Sequence, residues 1–350
     1  MVTLANIKRL RDQGHEVFVV QPAEHHYYSG MGPGMLSRIY RPEEIRFATR
    51  HVVEKQGAGF ILARAARIEA QARKIHLDNG ETLGYDVLSC NVGSSVPAVK
   101  GQEEAACFSV KPIASLLEAQ HMVLDSVSRG QIRLGVVGGG PAALEVAGNL
   151  HRLVQDAGGY GAQITVFAGR RFLSKLKDPI RNLARKNLTR RGIEIVEQGY
   201  VHRLHRNQVE LDSGKGFEAD LTMLALGVKP SSLFADSGLR TGQDGGLLVN
   251  EFLQHPDHPE IFGGGDCIYF EKQPLDKVGV YAVRENPILF HNLEAALSRA
   301  ELKPFHPGGD YLLIYNLGDG TGILNKGGLT FGGRPAFWIK DWIDRRFMKR

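Results

Sequence analysis

Three hundred and fifty residues, 43% of them hydrophobic, are enough for two domain cores. Cys90, Cys107 and Cys267 lie far apart with no CxxC, which argues against a disulfide scaffold, a zinc ribbon and a close dithiol pair and fits a reducing, cytoplasmic setting. The net charge of +5 suits phosphate-bearing cofactors or an anionic membrane surface; no basic–aromatic nucleic-acid motif, membrane-span run or signal-peptide pattern accompanies it.

In chain order, the first predicted element is a helix through Asn6-Ile7-Lys8-Arg9-Leu10, a segment that returns 143 positions later as Asn149-Leu150-His151-Arg152-Leu153. The stretch 16–22, EVFVVQP, follows as a strand and matches QITVFAG at 163–169. His25 and His26, like His202 and His205, lack further ligands at metal-binding spacing and read as solvated histidines, so no metal is expected. IHLDNGETLGYDVLSCNVG and VELDSGKGFEADLTMLALG then share a frame: Asp78, Gly80, Asp86 and Gly93 match Asp212, Gly214, Asp220 and Gly227, each pair 134 positions apart. Each copy predicts a hairpin turning at Asp-x-Gly, then an apolar strand (87–92 and 221–226) ended by glycine. Two βαβ-type modules are therefore expected, making an α/β protein with two Rossmann-like dinucleotide-binding domains.

The second module is complete: a strand over 132–137, then Gly138-x-Gly140-x-x-Ala143, a helix over about 142–154 and a strand over 164–167. Gly138 permits the tight turn, Gly140 lets a pyrophosphate approach the backbone, and Ala143 keeps helix and strand close; the helix N-terminus offers N–H groups to the anion. The second strand ends at Ala168 rather than at the usual ribose-binding acid, and Arg170-Arg171 follow. Two arginines attract a 2′-phosphate that an acid would repel, so NADPH is expected over NADH, with solvated helix-start arginines as the alternative. In the first module the corresponding strand and glycine loop fall just before Met1 by the same alignment. The expectation is a misplaced start, with a native chain longer by roughly 10–20 residues, a strand plus a loop; a real truncation is the alternative.

These residues resemble the pyridine nucleotide-disulfide oxidoreductase superfamily over nearly the whole chain. HPEIFGGGDCI (258–268) looks like its second flavin motif, which implies FAD on Asp266 and Gly265; Gly93 and Gly227 stand at its crossings between domains. The missing CxxC and GGGPAALEVAG, with Glu145, are more similar to the type II NADH dehydrogenase and sulfide:quinone reductase branch. YYSGMGPGML, KVGVYAVRENPILFHNLEAAL and the end WIDRRFMKR look like the oxidoreductase domain associated with selenophosphate synthase.

The resemblance implies hydride transfer from NAD(P)H to flavin and electron transfer onward to a quinone-type acceptor, the cofactor carrying the chemistry. It also implies that Gln21, Tyr28, Ser29, Val280 and Tyr281 contact FAD, Gln21 standing where an acid usually grips the ribose. Glu145 is the candidate catalytic residue at the nicotinamide or flavin edge, a helix-dipole glutamate being its alternative. Cys267 takes a packing role. The implied division is an FAD domain over 1–110 and 240–300, an inserted NAD(P) domain over 111–239 and a C-terminal segment over 301–350. In that segment Trp338 and Trp342, and Ile339, Ile343 and Phe347, repeat at helical spacing among six basic and two acidic residues from Arg334 on. An amphipathic, basic, aromatic helix over 335–350 fits peripheral contact with the cytoplasmic membrane face. A helix packed on the FAD domain, a homodimer, a sulfur- or selenium-linked acceptor and a non-catalytic nucleotide-binding remnant remain open.

Overall fold

The computed structural model describes residues 2–159 and 161–349. Its chain divides into two compact units, one built from Met1–His26, Phe47–Ser95 and Val228–Gly309, the other from Tyr27–Arg46, Val96–Gly227 and Asp310–Arg350. This partition differs from the sequence-based one. Residues 27–46 and 310–350 belong with the nucleotide module because Met31, Met35, Leu36 and Tyr40, with Tyr315 and Leu317, are buried in one core with Leu144 and Leu150.

That second unit contains a five-stranded parallel sheet in the order Cys107–Ser109, Leu221–Leu224, Arg133–Val137, Gln163–Phe167, Glu194–Val196. Arg133–Val137 is central and its last four residues are fully buried, as expected of a parallel strand covered on both faces. The helix Pro141–Asp156 starts with proline at its first position and buries Leu144, Ala147, Leu150 and Val154, a spacing of three and four that makes one apolar face. Gly148 on that helix touches the backbone of Leu317, where any Cβ would collide with the carbonyl group. The expected second hairpin is Gln208–Leu211 with Gly216–Glu218, turning at Asp212–Gly214. After residue 310 an antiparallel meander (Leu313–Asn316, Gly322–Lys326, Leu329–Gly333) leads into the C-terminal helix Arg334–Met348.

In the first unit the matching hairpin is Lys74–Leu77 with Thr82–Gly84. Phe18–Gln21 pairs in parallel with Gly59–Leu62, and Leu88–Cys90 with Ile261–Gly263. Here the two parallel pairs are separate sheets; among the described residues no strand joins them as Arg133–Val137 joins its neighbours in the other unit. The third parallel pair is Leu247–Val249 with Ile268–Phe270, and the 20-residue helix Gly279–Ser298 packs its Leu289 and Leu293 into the core beneath.

Candidate functional site

In the nucleotide unit, Gly138 has φ +142° and donates its N–H to Phe167 O (3.0 Å), and an added Cβ would run into the carbonyl of Ala225. Gly139 is closed in the same way by the carbonyl of Ala168. Gly140 is the opposite case: a Cβ there would stand in open space, with no atom within 4 Å. Gly140 is also the N-cap of Pro141–Asp156 and supplies no side-chain cap to the N–H groups of the first turn. An unobstructed glycine at the positive end of a four-turn helix suits a dinucleotide pyrophosphate. Ala143 is fully buried behind it.

At the end of the second strand, Ala168 and Gly169 are buried and Arg170 and Arg171 are exposed. Arg171 lies 3.5 Å from Asp178, a surface pair of little energetic weight. The Arg170 guanidinium carbon lies 5.8 Å from the centroid of the Tyr200 ring. Gly227 follows the strand Leu221–Leu224 at the same end of the sheet as the glycine loop, with open space where a Cβ would stand.

Glu145, four residues into the same helix, accepts the backbone N–H of Asn316 (2.7 Å). Burial pushes its carboxyl up to about 7, against the opposing pull of Lys340 and of the Asn316 N–H. Lys340 and Asp344 are themselves buried: Lys340 Nζ donates to Asp344 Oδ2 (2.7 Å) and to Gly30 O (2.9 Å). The Tyr28 hydroxyl donates to Asp344 Oδ1 (3.3 Å), and burial together with Asp344 drives that phenol well above its ordinary range. Burial raises Asp344 too, more strongly than Lys340 lowers it. Two carboxyls and one ammonium therefore share a low-dielectric cluster, in which burial raises both carboxyls. Ser29, next to Tyr28, is exposed.

In the other unit, Gly264-Gly265-Asp266 makes a tight turn after Ile261–Gly263, with Gly265 at φ +74°. Ser94 donates its hydroxyl to Asp266 Oδ2 (2.8 Å), and Gly265 donates its N–H to Glu285 Oε2 (2.5 Å). Glu285 is 2% exposed; burial pushes its carboxyl up to about 7, the Gly265 N–H and Lys277 pull it down, and Asp266 pushes it up again. Gly93 has φ +70° with open space at its α-carbon. The helix Gly279–Ser298 begins without a side-chain cap, and Val280 and Tyr281 are partly buried in its first turn. A glycine turn, an acid held by a hydroxyl and an uncapped helix start suit a flavin dinucleotide. Gln21 uses its amide locally, donating to Ala23 O (2.5 Å) and His25 O (3.2 Å).

Residues 3–290 match the family described as Pyridine nucleotide-disulphide oxidoreductase. The chain belongs to the pyridine nucleotide-disulphide oxidoreductase family. It is 28% identical over 238 residues to the nitrite reductase (NADH) large subunit of Escherichia coli (strain K12), covering 64% of this chain but only 26% of that one. It is 22% identical to the type II NADH:quinone oxidoreductase of Staphylococcus epidermidis (strain ATCC 12228 / FDA PCI 1200) over 97% of this chain and 90% of the other. The solved sulfide:quinone oxidoreductase of Aquifex aeolicus superposes with a TM-score of 0.80 at 18% identity, covering 99% of this chain and 88% of that chain. The match spans both α/β units, the first with its parallel strands in separate pairs, and FAD and NAD(P)H are the cofactors of this family.

Reading the family's pattern from sequence did not find Lys340, Asp344, Glu285 or Tyr200. The only signal was indirect: Lys340 and Asp344 sit at i, i+4, and Tyr200 follows a glycine at 199. All three cysteines of this pyridine nucleotide-disulphide oxidoreductase are free thiols. Cys90 and Cys267 are buried in one unit, the Cys267 thiol donating to Cys90 O (3.5 Å) and Gly264 O (3.3 Å), while Cys107 belongs to the other unit. Burial pushes the Cys267 thiol up to about 11 and Cys90 higher still.

Proposed function

We propose that this protein is an FAD-dependent NAD(P)H oxidoreductase that passes electrons to a quinone-type acceptor. The observation that carries the reading is the presence, in one chain, of an open uncapped glycine loop at Gly138–Ala143 and a Gly265–Asp266 turn braced by Ser94 and Glu285. Gly138, Gly140 and Ala143 receive the nicotinamide dinucleotide's pyrophosphate, Arg170 and Arg171 its adenosine end, and Gly227 lets the chain pass close by. Gly265 and Asp266 hold the flavin's ribityl chain. Gly93, Val280 and Tyr281 complete that site within the same unit, with Gln21 as a local turn former. FAD, when bound, supplies a two-electron carrier between a hydride donor and an acceptor.

The chain's own contribution is positioning and proton management. With a carboxyl near 7, Glu145 is populated in both protonation states at neutral pH, which suits a group that gives or takes a proton at its Oε atoms. Lys340 and Asp344 fix the charge around it. A quinone-type acceptor is the acceptor named in the staphylococcal relative. Sulfur chemistry at a thiolate is disfavoured, because the two neighbouring thiols are buried and held protonated.

The C-terminal helix supports contact with a membrane surface on the same reading. It turns Trp338, Ile339, Trp342 and Ile343 outward, with Arg345, Arg346 and Lys349 beside them. No helix among the described residues is long and apolar enough to cross a membrane. The deciding experiment is a visible spectrum of the FAD-supplemented protein followed by NADPH and NADH oxidation with a short-chain quinone. A flavin band and quinone-dependent turnover are expected; a protein that stays colourless, or turns over only with sulfide or polysulfide, refutes the proposal.

A further inference from the structure

At the end of the strand Gln163–Phe167, Gly169 and Gly199 form an antiparallel bridge, with Gly199 donating its N–H to Gly169 O (3.3 Å). The bridge brings Arg170 and Tyr200, each the next residue along, to the same spot. The Tyr200 ring lies over Gly169 so closely that a Cβ there would stand 2.7 Å from ring carbon Cε1, and Gly169 itself has φ +71°. The ring packs against that glycine, and the Tyr200 backbone is held by Asp212, whose N–H donates to Tyr200 O (2.8 Å). Yet the ring is 58% exposed, an aromatic face left outside every core cluster of its unit. The guanidinium of Arg170 is the cation on it, at 5.8 Å.

Several neighbouring charges have contacts of their own. Arg171, beside Arg170, lies 3.5 Å from Asp178 in an exposed pair, and Asp178 also holds Arg181. Glu197, at the end of the next strand, accepts the N–H of Phe172 (2.6 Å) and a guanidinium N–H of Arg185 (2.7 Å). Ala168 supplies no carboxylate. Arg170 is thus the guanidinium beside the Tyr200 ring, while the Asp212 carboxylate lies against Gly199 on the other strand of the bridge.

We propose that Tyr200 is a specificity-determining residue whose ring holds Arg170 in place to read an adenosine that carries a 2′-phosphate. A guanidinium held beside an aromatic ring still has N–H groups to offer a phosphate. Arg170 touches the ligand; Tyr200 acts through it. The inference rests on the nucleotide-loop half of the proposed function and is independent of the flavin.

The test uses the purified full chain and two probes, 2′,5′-ADP and 5′-AMP, by titration calorimetry. Wild type is expected to bind 2′,5′-ADP at least about tenfold more tightly than 5′-AMP, as one charge-assisted phosphate contact allows. Arg170→Ala abolishes that ratio. Tyr200→Leu lowers 2′,5′-ADP affinity about threefold to tenfold while leaving 5′-AMP nearly unchanged, and Tyr200→Phe, which keeps the ring, restores it. A purely structural Tyr200 would weaken both probes together, which overturns the proposal, as does a Tyr200→Leu ratio equal to wild type. Wild type that binds both probes equally overturns the proposal but spares the nucleotide loop; wild type that binds neither removes the loop reading as well.

Discussion

Lys340 and Asp344 face inward from the C-terminal helix as a buried ion pair, Nζ 2.7 Å from Oδ2, while Trp338 and Trp342 on the same helix face outward at 63% and 61% exposure. The helix thus buries an ion pair together with Ala336, packs Phe347 against Tyr28, and leaves two tryptophan rings on its outer side. A buried pair is weak evidence of stability in itself, but half of one is costly, because the survivor stays charged in a low dielectric. Lys340→Ala is expected to destabilise by about 3–5 kcal/mol in urea unfolding, whereas Lys340→Met with Asp344→Leu costs clearly less. Equal losses in the single and double variants would contradict the pairing.

The outward rings predict the complementary result. Exposed residues away from special contacts contribute within about 0.5 kcal/mol, so Trp338→Ser with Trp342→Ser should leave unfolding unchanged. The same double variant should lose most pelleting with anionic liposomes, since interfacial binding scales with buried apolar area plus charge. Undiminished pelleting would remove the membrane role from this face.

Both stripes were visible in the sequence, and their sense was not. Residues 338 and 342 share one side of a helix, 340 and 344 the opposite side. Nothing in the spacing says which side meets the fold; that is decided by Tyr28 and Gly30, more than 300 positions away, which supply partners for Asp344 and Lys340. The repeat was legible because each copy encodes its own local turns at Asp-x-Gly, and the nucleotide loop because its glycines, strand and helix are contiguous. Glu145 was legible as a motif residue, but the shift of its carboxyl depends on Asn316 and the C-terminal helix, which join it only through tertiary packing. The unit boundaries were misjudged for the same reason: Met31, Met35 and Leu36 carry no periodic signal that names the core they enter.

Glu285 gives a pH-dependent prediction with a definite sign. Its carboxyl stands at about 7 in the fold against an ordinary 4.5, chiefly through burial. Between those values the folded chain holds a proton that the unfolded chain has released, so stability falls as pH rises. The contribution is fully present below about 4.5 and lost as pH passes 7. The total is about 3 kcal/mol. Glu285→Gln keeps an acceptor for the Gly265 N–H and removes the titration. Relative to wild type it should gain about 3 kcal/mol between pH 4.5 and 8, read from urea melts at matched pH. Parallel pH profiles would show that Glu285 does not titrate as described.

Gly138 and Gly140 separate folding from binding within one loop. At Gly138, φ is +142° and a Cβ would collide with the Ala225 carbonyl, so Gly138→Ala strains the backbone and displaces the crossing strand. A loss of about 1–3 kcal/mol is expected in unfolding, together with lost nucleotide binding. Gly140 has an extended backbone at φ −97°, ψ −175° and empty space where a Cβ would go. Gly140→Ala should therefore fold with stability within about 0.5 kcal/mol of wild type. Its methyl group would nevertheless occupy the volume in which a pyrophosphate meets the first-turn N–H groups, so NADH and NADPH affinity should fall at least about tenfold, the loss expected when charge-assisted hydrogen bonds can no longer close. The measurement is dinucleotide titration beside a thermal melt of each variant. Undiminished dinucleotide binding by Gly140→Ala would mean that the open cradle is not where the phosphates sit.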